Sequence, residues 1–322
     1  MKQKIQTHRM IRFTITAGLL SAASLSSAFA AQADDYSEAQ AQETWREAIA
    51  HTEVPAEGCF YASYPGMVWN RIECAVAPHI PYTPRRGPIS QTVGNGNDYA
   101  ASVAGLMSRA VGSFPKVTGV TSETGALGAN DYSLQLNSNF MVTAACKGKS
   151  GCLSWQQFVY SSGYAVAFMQ YWLINYGTCP AGWFTYTPDC YMNSAAVAVP
   201  QEAITALETL KVSGAAKARG KDTMIMTVGT LAYTTTGKDS VVDLASDWSE
   251  SEFNIIGDGN SSGATFNTGS SIKVKIAVTS GTTNAPTCAS NAGTTGETNN
   301  LNLGSCTGTG GAEPYIKFTE SN

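Results

Sequence analysis

Charge, histidine and long apolar runs are all scarce in this 322-residue chain. Charged residues make up 14% of it, and it holds three histidines. No HExxH motif and no P-loop occurs, which removes the usual zinc-hydrolase and nucleotide-binding signatures. A Ser-His-Asp or Cys-His nucleophile needs a histidine. Beyond residue 30 only His51 and His79 remain, both ahead of the strand-rich part of the chain. No stretch after residue 30 approaches the roughly 20 apolar residues of a membrane-spanning helix. Any catalysis here falls to carboxylates and amides.

The first thirty residues carry a different pattern. Lys2, Lys4, Arg9 and Arg12 precede an apolar stretch from Phe13 to Leu25, and Ala28-Phe29-Ala30 supplies small residues for a cleavage site. This is the layout of a secretory signal, so the expected location is extracellular or periplasmic. Without those four cations the chain has 16 basic against 24 acidic residues, a net charge of −8. That acidic balance argues against nucleic acid or an anionic membrane as partner. Abundant uncharged polar residues also leave few carboxylates that must stay ionised, which suits an acidic medium.

All eight cysteines lie beyond the signal. In an exported chain they read as disulfides, and the local pairs 59–74, 146–152, 179–190 and 288–306 are the simplest assignment. No CxxC spacing supports a metal site, and no cofactor is expected. Residues 36–51 predict one helix with Trp45 and Ile49 on its apolar face, starting near Ser37. The proline-rich stretch 77–88 reads as an extended, exposed linker. Its Arg85-Arg86 pair is either a solvated linker charge or a processing point that ends a pro-segment.

After about Asn95, short runs rich in Val, Ile, Thr, Tyr and Phe alternate with Gly, Asn and Ser clusters. In the run Ile272 to Val278 the apolar residues alternate with Lys273, Lys275 and Ala277, as in an antiparallel strand with one wet face. The expected organisation is a signal at 1–30, an N-terminal segment at 31–94 and a β-sandwich or jelly roll at 95–322. A helix near 200–210 is an alternative to a loop entering a strand. Two stretches stand out for chemistry. One is the strand pair 152–177, bearing Trp155, Gln156, Gln157, Gln170, Tyr171, Trp172 and Tyr176; the other is 247–258, bearing Glu250 and Glu252. Polar side chains interleaved with aromatics on a sheet face suit a groove for an extended polymer. They equally suit a sandwich core with outward-facing glutamines.

The stretches NDYAASVAGLMSRAVGSFPKVTGVTSET (97–124), YSLQLNSN (132–139), SWQQFV (154–159), FMQYWLINY (168–176) and SESEFNIIGD (249–258) occur in the order of the main strands of eqolisin-type glutamic peptidases. The chain resembles that family over roughly 97–280. The resemblance implies an all-β, concanavalin-like antiparallel double-sheet sandwich behind a short helical N-terminal segment. It places Gln156 on the family's catalytic glutamine and Glu252 on its catalytic glutamate, with Gln157 and Glu250 as alternates. Trp155, Gln170, Tyr171 and Trp172 on the same strand pair are the expected substrate-binding residues. The implied activity is that of a secreted endopeptidase acting on polypeptides. Glu252 would activate a water and the glutamine amide would hold the oxyanion, a chemistry that favours acidic pH. The family's glycine two after the glutamine is Phe158 here. Gln157 beside Gln156 leaves the register open by one residue, which on a strand is a change of face.

Two other classes compete with the enzyme. One is a non-catalytic concanavalin-like module binding polysaccharide through Trp155, Trp172, Trp183, Tyr171 and Tyr176. The other is an adhesive extracellular protein. A glycosidase would need two carboxylates placed about 5–10 Å apart across the substrate. Glu250 and Glu252 share one strand, which fits that requirement poorly.

Overall fold

The computed structural model describes residues 22–86 and 92–322, with side chains from residue 36 onward. Most of the expected export signal and the end of the proline-rich stretch therefore lie outside the described residues. The helix runs from Ala22 to Ala50. It begins well before Ser37 because the alanine-rich stretch ahead of that residue has high helix propensity and no break. Beyond it the chain is almost entirely strand and turn.

Two large antiparallel sheets, of ten and nine strands, form the expected double-sheet sandwich, and a small four-stranded sheet accompanies them. Four strands of the nine-stranded sheet position the site. These are β1 (Ser133–Ser138), β2 (Leu153–Ser161), β3 (Val166–Ile174) and β4 (Glu250–Ile256), lying side by side in the order β3-β2-β1-β4. Their inward residues Leu134, Leu136, Phe158, Met169, Phe253 and Ile255 meet Phe114, Val212, Met226 and Ile276 of the ten-stranded sheet. Gly112 and Gly214 stand opposite Phe253 and Phe158, where any β-carbon would collide with the ring. These two glycines let the sheets close.

The 31–94 segment contributes to both sides of this sandwich. Cys59–Ser63 pairs with Leu231–Lys238, so it forms part of the ten-stranded sheet. Trp45 and Ile49 pack with Phe60, Trp69, Ile225 and Ala232 on that sheet's outer face, as the amphipathic pattern predicts. All four expected local disulfides are present. Residues 204–209 form a 3-10 turn leading directly into the strand Leu210–Ala215, which joins the two alternatives read for 200–210.

The proline-rich stretch departs from expectation. It is extended, but Tyr82, Thr83 and Pro84 are buried. The reason is that it lies across the outer face of the nine-stranded sheet, where that face supplies hydrogen-bond partners to its backbone. Arg86 is likewise more than a solvated charge, since it pairs with the buried Asp189.

Candidate active site

At the middle of β1 to β4 a row of outward-facing positions is polar, yet these are buried like the inward ones. One row across the sheet runs Gln170, Gln157, Asn137 and Glu252, each directly paired with the next. Gln170, Gln157 and Asn137 have no solvent exposure and Glu252 has 2%. Neighbouring strands lie about 4.8 Å apart, so Gln157 and Glu252, separated by β1, stand about 10 Å apart at the backbone. Side chains reaching from those two positions can flank a carbonyl and a water.

The neighbours fix both groups. Trp172 Nε1 donates to Gln157 Oε1 at 3.0 Å, which turns the amide nitrogen toward β1, where it donates to Gln135 Oε1 at 2.9 Å. Glu252 Oε2 accepts from Asn137 Nδ2 at 3.2 Å, Thr294 N at 2.7 Å and Thr294 Oγ1 at 2.9 Å. The other oxygen, Oε1, has no donor, and neither does Asp98 Oδ2. Both oxygens crowd the same point beside Gly293, each under 3 Å from where a β-carbon would sit. Two acceptors face each other there, so one shared proton satisfies both. Burial, together with the Glu252 charge, pushes the Asp98 carboxyl well above the usual carboxylate range and keeps that proton in place.

Gln156 occupies a different environment. It is paired with Tyr171 and points between the sheets, with Nε2 3.6 Å from Met169 Sδ. There it lies close to the buried Asp222 of the opposite sheet, whose carboxyl oxygens have no hydrogen-bond donor. Gln156 and Glu252 are thus on opposite faces, and Gln157 is the glutamine that shares a face with Glu252. Tyr171 also belongs to the inter-sheet core. Trp155 and Trp172 are on the site face but fully buried, so neither offers a ring for sugar stacking. Glu250 sits half-buried two residues before Glu252, opposite Ser102. Asn137, Gln135, Asp98 and Thr294 were not singled out from the sequence. The available signal was the alternation of Gln135 and Asn137 with Leu134 and Leu136.

Two segments roof the row. The stretch 78–85 crosses in extended form, and nearly every residue is recognised through its backbone. Asn193 Nδ2 donates to Pro78 O (2.9 Å), Gln170 Nε2 to Ile80 O (2.9 Å) and Asn260 N to Pro81 O (2.8 Å). Tyr82 N donates to Gln170 Oε1 (2.7 Å), Thr83 N to Glu297 Oε1 (3.0 Å) and Arg85 N to Thr294 O (2.7 Å). The second segment, 291–297, lies inside the loop closed by Cys288–Cys306 and carries Thr294 over Glu252. Arg85 Nη1 donates to Gly293 O at 2.9 Å and to Asn291 O at 3.1 Å, tying the two roofs together.

No protein-family model matches the chain, and no curated protein does. Among solved structures it is similar to a scytalido-glutamic peptidase crystallised with a peptide-based transition-state analogue. Identity is 13% and the TM-score 0.35, covering 73% of this chain and 99% of that one. It is also similar to SCP-B, a member of the eqolisin family of peptidases in complex with the tripeptide Ala-Ile-His, at 10% identity and TM-score 0.33, covering 72% and 98%. Similarity at this level assigns no residue a role, so the functional reading rests on the geometry above.

Proposed function

We propose that the chain is an exported acid endopeptidase, held latent by its own segment 78–85, with Glu252 as general base and Gln157 as oxyanion donor. The observation that carries this reading is the extended stretch of polypeptide bound backbone-first across a face whose centre holds an acid and an amide. In the open state Glu252 takes a proton from water as the water oxygen attacks the scissile carbonyl carbon. The Gln157 N–H meets the developing oxyanion. The C–N bond then breaks, and the proton passes from Glu252 to the leaving nitrogen. Asp98 positions Glu252 through the shared proton, and Asn137 holds its other oxygen.

Latency follows from the roof. While Arg85 and Thr83 hold 291–297 down, Thr294 fills the place of the attacking water. Release of 78–85 removes those ties, and a cut after Arg86 is the step we assign to it. The four disulfides suit an oxidising compartment. Among the described residues no helix is long and apolar enough to cross a membrane.

The test is digestion of a denatured protein at pH 3–5 by the secreted protein. The expected result is cleavage that resists chelators and serine- and cysteine-protease inhibitors and is lost in Glu252→Gln with the fold intact. Undiminished cleavage by Glu252→Gln refutes the assignment.

A further inference from the structure

We propose that the pocket filled by Tyr82 is a tyrosine-selective subsite, taking the phenol ring of an extended polypeptide once the chain's own segment has left. This rests on the reading of the face as a peptide cleft, but the pocket has its own geometry. The Tyr82 ring is fully buried against Val159, Val166 and Phe168, meeting Phe168 edge-on at 5.8 Å. At its far end the hydroxyl donates to Asp258 Oδ1 at 2.5 Å. The second Asp258 oxygen accepts from Ser161 Oγ at 2.7 Å and Gly163 N at 3.1 Å, which fixes the carboxyl in place.

The backbone on either side is held by side chains independent of residue identity. Gln170 brackets the tyrosine, accepting its N–H and donating to the carbonyl two residues earlier, and Glu297 takes the next N–H. The cleft therefore reads the main chain generally and one side chain specifically. A phenylalanine fits the walls but leaves Asp258 Oδ1 buried without its partner. Sites built to bond a hydroxyl discriminate strongly against the analogue lacking it. Gly259, at φ +81°, lies against Ile80 and the Tyr82 ring edge, so the floor has no room for a side chain there.

Two measurements on the full chain test this. In the first, Tyr82→Ala vacates the pocket and is titrated with p-cresol and with toluene. The cresol is expected to raise Tm clearly, and toluene at the same concentration to raise it less than half as much. Equal effects overturn the proposal. In the second, the wild-type protein, with the bond after Arg86 already cut, digests a mixed peptide pool at acidic pH, which needs no stable Tyr82 variant. One position of the cut sequences is expected to prefer tyrosine over phenylalanine by about tenfold in kcat/KM. In Asp258→Ala that ratio should fall to near one. Cleavage with no tyrosine preference overturns the subsite while leaving the peptidase standing. A complete absence of cleavage refutes the peptidase instead, and the cresol titration then decides the pocket alone.

Discussion

Replacing Asp222 with asparagine should remove a pH dependence of stability that one buried group in the core creates. Asp222 lies on the strand Lys221–Val228, has no solvent exposure, and faces Gln156 between the sheets. Burial first, and then the charge of Asp239, push its carboxyl from 3.8 up to about 8. Because folding raises this pKa, the folded state holds the proton more tightly than the unfolded chain does. The contribution to stability is therefore complete below about pH 4 and is lost as pH rises through about 8. At 1.4 kcal/mol per tenfold, the full span corresponds to about 6 kcal/mol. Local opening that admits water reduces this to about 3 kcal/mol in practice. An asparagine in that place does not titrate. Urea melts at pH 4, 6 and 8 should show Asp222→Asn slightly less stable than wild type at pH 4 and about 3 kcal/mol more stable at pH 8. A variant-minus-wild-type difference that stays constant within about 1 kcal/mol over that range refutes the reasoning.

The two adjacent glutamines should separate cleanly. Gln157→Ala is expected to cut the kcat of the folded protein by about a hundredfold or more, the scale of a lost oxyanion donor, beyond any loss of stability. Gln156→Ala should instead keep kcat and lose about 2 kcal/mol of stability in a denaturant melt, from a core cavity and a lost hydrogen bond. Asp98→Asn replaces a carboxyl that burial and Glu252 keep protonated with a group that cannot ionise, so the alkaline limb of the rate profile should move to higher pH while acid-side activity persists. Arg85→Ala removes two bonds that hold 291–293 over Glu252, and the uncut protein should then digest a denatured substrate several-fold faster at pH 4.

The sandwich was legible because most of its strands carry local signals. The alternation from Ile272 to Val278 has one apolar face, and the structure buries Ile272, Val274 and Ile276. Disulfide pairing was legible because each pair closes a short loop. The register of β2 was not. In LSWQQFVYS the apolar residues Trp155 and Phe158 are three apart, so no period of two marks which glutamine faces outward. Pairing with Gln170 and Asn137 sets the phase, and that information sits on other strands. The burial of the proline-rich stretch was equally hidden. Its prolines correctly gave an extended backbone, but its partners are side chains of Asn193, Gln170 and Glu297, more than 80 residues away. Glu252 was found as an acid in a strand, whereas its proton-sharing partner Asp98 lies at the end of a polar turn with no motif.

The N-terminal region reaches both outer faces of the molecule. It embraces the sandwich, with Trp45 to Trp69 on the back of one sheet and 78–85 on the back of the other. Its single disulfide, Cys59–Cys74, closes within it, and the remaining three close beyond residue 86. One hydrolysed bond after Arg86 thus turns a single polypeptide into a two-chain complex with no covalent link. On the reading proposed above, that cut makes latency a matter of a dissociation constant, and therefore sensitive to dilution.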